Sequence, residues 1–132
     1  MMSKVLELAV DAGDADAENK LATLYDGGLG VPEDHAQAFG LYRRAAERGY
    51  TPAMANLGRM YIEARGVDRD DVRGYALVRA AVDAGIPPSM RPMANQALQA
   101  ATARLDDEQL AQACEASKKL AAMAAPAVVA RR

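Results

Sequence analysis

Apolar residues recur with helical spacing through most of the chain, in paired segments. Ala17, Leu21 and Tyr25 are four residues apart, which places them on one stripe of a helix. A second stripe of this kind runs over residues 38–46. The run GGLGVP at residues 27–32, which cannot remain helical, separates the two stripes. The pattern therefore predicts two helices joined by a glycine-rich turn.

The same pattern returns with a period of 36 residues. Gly13, Gly49 and Gly85 have this spacing, and each stands where a helix is expected to end in a left-handed residue. Other pairs that the shift superimposes are Leu21 and Leu57, Tyr25 and Tyr61, Gly30 and Gly66, Asp34 and Asp70, and Ala45 and Ala81. Each unit is interpreted as a helical hairpin that buries its apolar face only by stacking on its neighbours.

The repeats predict a single domain over residues 1–123. We expect a half-hairpin at residues 3–13, repeat one at 14–49, repeat two at 50–85, a degenerate capping hairpin at 86–123 and a flexible tail at 124–132. The last hairpin lacks the glycine-rich turn and has a more polar final helix, as the end of a repeat array requires. The predicted fold is all-α, a right-handed α/α superhelix (solenoid) of antiparallel hairpins with about seven helices.

Local signals mark the helix starts. Asp34, with a glutamine three residues later, has the pattern of a capping box. Thr51 followed by Pro52 predicts a capping hydroxyl and a proline at the first helical position. Gly74 lies where two helices are expected to approach closely, whereas nothing in the pattern explains Gly40 in the middle of a helix, where glycine costs about 1 kcal/mol.

Composition argues against several classes of partner. The net charge is −2, from 16 basic and 18 acidic residues, and aromatic residues are limited to five Tyr and one Phe. Nucleic-acid binders need a basic surface and stacking platforms, so no nucleic-acid partner is expected. The single cysteine, Cys114, fits a reducing compartment. Acidic residues follow the N-terminus too soon for the apolar core of a signal peptide, and the longest apolar run, at residues 120–130, is too short to span a bilayer. We therefore expect a soluble, cytoplasmic protein without a membrane partner.

Recognisable catalytic motifs are missing from the sequence. His35, beside Asp34, is interpreted as a solvated imidazole, and Cys114 as a packing thiol. The acidic run at residues 68–71 lacks calcium-loop spacing, and the GGLG run lacks the strand and lysine of a phosphate loop. We expect no enzyme activity, no metal and no cofactor. A hydrolase with an unrecognised site and a helical-repeat RNA binder are the alternatives from other classes.

The repeated residues resemble the Sel-one-like repeat (SLR) family, a relative of the tetratricopeptide repeat. That family's pattern is approximately Ala-x-x-x-Leu-Gly-x-x-Tyr, a Gly-x-Gly-Val turn, Asp, and a second helix ending Ala-Ala-x-x-Gly. The matching residues are Ala17, Leu21, Tyr25, Gly28, Gly30, Val31, Asp34, Ala38, Ala45, Ala46 and Gly49 in the first unit, and Ala53, Leu57, Gly58, Tyr61, Gly66, Val67, Asp70, Ala80, Ala81 and Gly85 in the second. Glu63 and Ala64 depart from the pattern by replacing turn glycines. The resemblance implies a protein-binding scaffold.

The resemblance also implies where a partner binds, because the first helix of each hairpin lines the concave side of such arrays. Helical geometry and the 36-residue shift give a predicted groove of Asn19, Thr23, Asp26, Ala55, Arg59, Ile62, Glu63, Arg91, Asn95 and Gln99. Arg59 and Arg91 are expected to pair with carboxylates, so the partner is a protein or peptide with some acidic character. A bacterial adaptor and an immunity-type protein that blocks a cognate toxin or enzyme both fit, and the oligomeric state stays open.

Overall fold

The computed structural model describes residue 10 and residues 13–124, and this part of the chain is built from α-helices without a strand. The elements are α1 (Ala15–Gly27), α2 (His35–Glu47), α3 (Thr51–Glu63), α4 (Asp71–Ala84), a 3-10 turn (Pro88–Met90), α5 (Arg91–Arg104) and α6 (Asp107–Met123). The all-α prediction is confirmed. The half-hairpin predicted for residues 3–13 and the tail predicted for 124–132 lie almost entirely outside the described residues.

The two hairpins close their turns with equivalent hydrogen bonds. The N–H of Asp34 donates to the carbonyl of Tyr25 at 2.9 Å, and that of Asp70 donates to the carbonyl of Tyr61 at 3.1 Å. Both aspartate side chains then cap the following helix by accepting from its third backbone N–H. Ala64 has a φ of 56°, the left-handed conformation that the first unit gives to a glycine. The second turn therefore keeps the geometry of the first, although its sequence departs from the family pattern.

Helices α3 and α4 cross where two glycines face each other. A Cβ built on Gly58 would lie 2.7 Å from the carbonyl oxygen of Gly74, and one on Gly74 would lie 2.8 Å from that of Gly58. The same positions of the first hairpin hold Ala22 and Ala38, which are fully buried. The second hairpin is therefore the more tightly packed at its crossing. Gly40 is different, since no described atom lies within 4 Å of its built Cβ.

The predicted capping segment at residues 86–123 contains two helices, α5 and α6. Helices α5 and α6 each pack against α4 and make few contacts with each other. On the α6 side, the Sγ of Cys114 lies 3.9 Å from the hydroxyl of Tyr75 on α4. Only Leu105 and Asp106 connect α5 to α6, so no glycine-rich turn reverses the chain there. The two helices cap the array by holding α4 between them.

Thr51 does not cap α3 as the sequence predicted. Tyr50 occupies the N-cap position without capping the helix through its side chain, whose hydroxyl donates to Oδ1 of Asp16 at 2.6 Å, and Thr51 is already helical. The buried hydroxyl of Thr51 donates to the carbonyl of Gly85 at 2.7 Å. This side chain therefore links the start of α3 to the end of α4, because the carbonyl at a helix end needs a donor from elsewhere.

Candidate partner-binding surface

Three predicted groove residues, Asp26, Arg59 and Glu63, pair with one another. Arg59 places Nη2 2.9 Å from Oδ2 of Asp26 and Nη1 3.2 Å from Oε1 of Glu63. Arg65 Nη2 lies 3.2 Å from Oδ1 of Asp26, and His35 Nδ1 lies 3.1 Å from the same oxygen. These five residues are termed the Asp26 cluster. The Arg59 guanidinium thus pairs with carboxylates of the protein itself, Asp26 and Glu63. The sequence had predicted that it would pair with a carboxylate of a partner.

The Asp26 cluster joins the two repeats. Asp26 belongs to the last turn of α1, whereas Arg59 lies on α3 of the next unit. Arg65, in the turn after α3, also donates to the backbone carbonyl of Asp26 at 3.3 Å. In the same turn, a Cβ on Gly66 would lie 2.6 Å from the carbonyl oxygen of His35, so only glycine allows this approach. The second turn is therefore docked directly on the first repeat.

His35 is part of this inter-repeat contact and not the solvated imidazole that the sequence predicted. Its ring is 30% exposed, with Nδ1 against Asp26 and Nε2 3.2 Å from Oε1 of Glu33. The imidazole therefore bridges two carboxylates. One sequence signal could have predicted the pairing of the two repeats. Asp26 on α1 and Arg59 on α3, the first helices of the two hairpins, have opposite charges.

The electrostatics of the Asp26 cluster keep its charges in place. Burial alone would raise the pKa of Asp26, but the hydrogen bond and charge of Arg59, the charge of Arg65 and the hydrogen bond of His35 outweigh it, and the pKa falls below its ordinary value of 3.8. Burial would likewise lower the pKa of Arg59, yet Asp26 and Glu63 raise it overall. Asp26 and Arg59 are therefore both ionised at neutral pH.

Lowering the pH should reduce the stability of the fold, because it protonates Asp26. Because the folded pKa of Asp26 lies below 3.8, its stabilising effect is present above that pH and is lost as the pH falls through the lowered value. We expect the free energy of unfolding, measured by urea titration, to fall more between about pH 5 and pH 3 in the wild type than in Asp26→Asn. The control is Asp83→Asn, at an exposed carboxylate paired with Arg79. Parallel pH curves for the wild type and Asp26→Asn would contradict this role.

Two other predicted groove residues lie in the core. Ala55 is 0% exposed and Ile62 is 2% exposed, so neither can line an open surface, and this part of the prediction is wrong. The reason is the central position of α3, which packs against α2, α4 and α5. Ten of its thirteen residues are buried. A helix with neighbours on several sides has no broad solvent face.

The remaining predicted residues are on α1 and α5. Asn19 is half-buried and accepts from the amide of Asn56 at 3.1 Å, and exposed Thr23 places its hydroxyl 3.0 Å from that of Tyr42. Arg91, Asn95 and Gln99 are exposed and stand four residues apart, which puts them on one stripe of α5. The polar strip is defined as Asn19, Thr23, Arg91, Asn95 and Gln99. It lies on the two first helices that flank α3.

A feature that the sequence did not reveal is a cleft between α3, α4 and α6. Its volume is about 530 Å³, and most of its lining is apolar. A second space of about 240 Å³ shares Leu57, Leu77 and Leu120 with it and extends to α2. The two spaces together are termed the apolar cleft. The cleft exists because α6 packs against α4, and no local sequence signal predicts this packing.

The described residues contain neither a cluster of metal ligands nor a membrane-spanning helix. No group of three or more His, Cys, Asp or Glu side chains there could hold a metal ion. None of the described helices is both long enough and apolar enough to cross a membrane.

Comparison with known proteins identifies the repeat. The Sel1 repeat pattern matches residues 15–50 and 51–86. The chain belongs to the Sel1 repeat family. The Sel1 assignment confirms the resemblance to the Sel-one-like repeats, and the matched segments keep the 36-residue period of the sequence. A comparison with curated proteins finds no match.

Two solved structures support the Sel1 repeat solenoid. A protective antigen present in uropathogenic Escherichia coli strains, which displays an SLR fold, has a TM-score of 0.81 and 29% identity, over 98% of this chain and 27% of that one. A Sel1 repeat protein from Oxalobacter formigenes has a TM-score of 0.57 and 26% identity, over 85% of this chain and 96% of that one. The chain thus spans about a quarter of the length of the first, whose array has the same α/α architecture.

Proposed function

We propose that this Sel1 repeat chain is a non-catalytic adaptor that binds a protein partner along the polar strip. Sel1 repeats are in general protein-interaction scaffolds. The observation that carries the proposal is the stripe on α5, where Arg91, Asn95 and Gln99 are exposed without a side-chain hydrogen bond or ion pair to the described residues. Arg59, by contrast, is already paired within the protein.

The chemistry of the stripe favours a partner with a carboxylate. The guanidinium of Arg91 can bind a carboxylate with two parallel hydrogen bonds. The amides of Asn95 and Gln99, one and two turns further along α5, can both donate to and accept from a peptide backbone. The partner is therefore a protein or peptide that presents an acidic residue beside an accessible backbone.

An adaptor and an immunity-type protein would use this surface differently. An adaptor leaves its partner active, whereas an immunity-type protein covers the active site of a cognate toxin or enzyme. No residue of the polar strip favours the second role, so the adaptor role is proposed. A bacterial cytoplasm is the proposed location, because a single cysteine fits a reducing compartment and both structural relatives named above are bacterial.

Affinity capture with the tagged full chain tests the polar strip. We expect Arg91→Glu to reduce recovery of a specific partner about tenfold or more, because a charge-assisted hydrogen bond is replaced by repulsion. The matched control is Arg69→Glu, the same charge change at an exposed position in the turn before α4. Circular dichroism verifies that both variants are helical. A partner that both variants retain equally, or that both lose equally, would contradict the proposal that the polar strip binds the partner.

A further inference from the structure

We infer that the apolar cleft is a second binding surface, which takes a short acidic amphipathic segment of another protein. The apolar cleft is lined by α2, α3, α4 and α6, whereas the polar strip lies on α1 and α5. Two features support the proposal: an unfilled apolar volume lined by α2, α3, α4 and α6, and a rim on which cations outnumber the free carboxylates.

The cleft exists because the outer helices do not close over α3. Helices α2 and α4 make little contact with each other, so the side chain of Leu57 on α3 reaches the space between them. Helix α6 crosses α4 and places Leu120 opposite Leu57 and Leu77, and these three side chains line both parts of the cleft. A continuous apolar floor therefore runs from α4 past α6 to the end of α2.

The size of the space indicates an occupant larger than water. Protein interiors seldom leave voids wider than one water molecule, whereas binding sites commonly enclose about 300–1,000 Å³. The larger part of the cleft alone has about 530 Å³. This is room for several large apolar side chains. Filling it would remove Leu120 and the exposed Met123, at the far end of α6, from water.

The rim determines the charge of the occupant. Arg73 and Lys119 stand at the larger part, and Arg43 stands at the smaller part beside Glu47. Neither Arg43 nor Lys119 has an ion pair within the described part of the chain, and Arg73 is held with its guanidinium carbon 5.6 Å from the ring centre of Tyr61. Arg43 and Lys119 are therefore placed to receive carboxylates.

The one other carboxylate at the rim is already engaged. Asp70 accepts from the N–H of Arg73 at 3.0 Å as the cap of α4, and its Oδ2 lies 3.9 Å from Nε of Arg73, so these two charges pair with each other. Glu47 alone therefore opposes Arg43 and Lys119. The segment that complements this surface carries large apolar side chains on one face and Asp or Glu at the edges of that face.

Fluorescence anisotropy of a labelled peptide with the full chain tests the proposal. The probe is a helical peptide of about 14 residues with leucines on one face and glutamates at its edges. A second peptide carries lysine for glutamate, and a third carries serine for leucine. We expect the acidic leucine peptide to bind, the lysine peptide to bind about tenfold more weakly or worse, and the serine peptide not to bind.

Two variants locate the binding in the cleft. Ala116→Phe fills the larger part from a half-buried position on α6 and should abolish binding. Lys119→Glu should weaken binding about tenfold, whereas Lys118→Glu, at a neighbouring side chain that is 75% exposed and outside the lining, should leave it unchanged. Thermal melting monitors folding. The Lys119 and Lys118 variants still decide the question if Ala116→Phe unfolds the chain.

Binding outside the cleft, or a different occupant of the cleft, would overturn the proposal. Equal binding of all three peptides, or binding that neither Ala116→Phe nor Lys119→Glu changes, would place the peptide elsewhere. Tighter binding in Val128→Asp/Val129→Asp would show that the last residues of the chain compete for the cleft. A concentration-dependent dimer that Ala116→Phe disrupts would show that a second copy fills it.

Discussion

Replacing Arg44 and Arg48 together by methionine is expected to lower the free energy of unfolding by about 3 kcal/mol. The reason is Glu18, which is 0% exposed on α1. Its Oε1 lies 2.8 Å from Nη1 of Arg48, and its Oε2 lies 3.0 Å from Nε of Arg44. Without both guanidinium groups a buried charge is left uncompensated, which costs about 3–5 kcal/mol, and the partial exposure of the arginines favours the lower end.

The geometry of Glu18 makes both arginines necessary. Oε2 of Glu18 accepts no hydrogen bond from the described residues. The charge of Arg44 therefore compensates the charge on this oxygen through electrostatic attraction alone. Arg48 also donates to the backbone carbonyl of Gly13, which ties the end of α2 to the start of α1. Removing only one arginine should therefore cost less than removing both.

Urea titrations followed by circular dichroism measure this effect, with Arg43→Met as the control. Arg43 is an exposed neighbour on α2 without an ion pair to the described residues. Adding Glu18→Met to the double variant should restore most of the lost stability, since replacing a buried ion pair entirely by apolar residues is often neutral. A double variant as stable as the wild type, or a triple variant no better than the double, would contradict the importance of the buried charge.

Substituting alanine at the glycine crossing of α3 and α4 should cost about 1–3 kcal/mol. At Gly74 the new Cβ would lie 2.5 Å from Cγ1 of Ile62 and 2.8 Å from the carbonyl oxygen of Gly58. At Gly58 it would lie 2.6 Å from Cγ2 of Val78. Because a backbone oxygen cannot move aside as a flexible side chain can, the two helices must separate. Thermal or urea unfolding of Gly58→Ala and Gly74→Ala measures the loss.

Gly40→Ala is the matched control for the crossing. It has the same helix-propensity gain of about 1 kcal/mol, and no described atom opposes its Cβ. This variant should be more stable than the wild type. If Gly58→Ala gains as much stability as Gly40→Ala, the close crossing of α3 and α4 is wrong.

The repeat and its helices could be predicted from the sequence because their signals are local. The 36-residue period located both hairpins, and the stripe of Ala17, Leu21 and Tyr25 predicted α1. Of the capping box predicted at Asp34, the structure shows the aspartate half, since Asp34 accepts from the third N–H of α2. Helix stripes and caps depend on residues within one or two turns, so the sequence predicts them without knowledge of any tertiary contact.

The binding surface depended on contacts between units, which spacing alone does not specify. The sequence pattern predicted that Ala55 and Arg59 line an open groove. In the structure, the helices around α3 bury Ala55, and Arg59 pairs with Asp26 of the previous repeat. The position of α6 was likewise decided by tertiary packing. The two-residue connection before α6 does not specify whether this helix packs against α5 or against α4. The sequence by itself therefore determined a Sel1 array of helical hairpins. Only the tertiary structure decided which polar side chains remain free and where an apolar cleft stays open, because both depend on the neighbours that packing brings to each helix face.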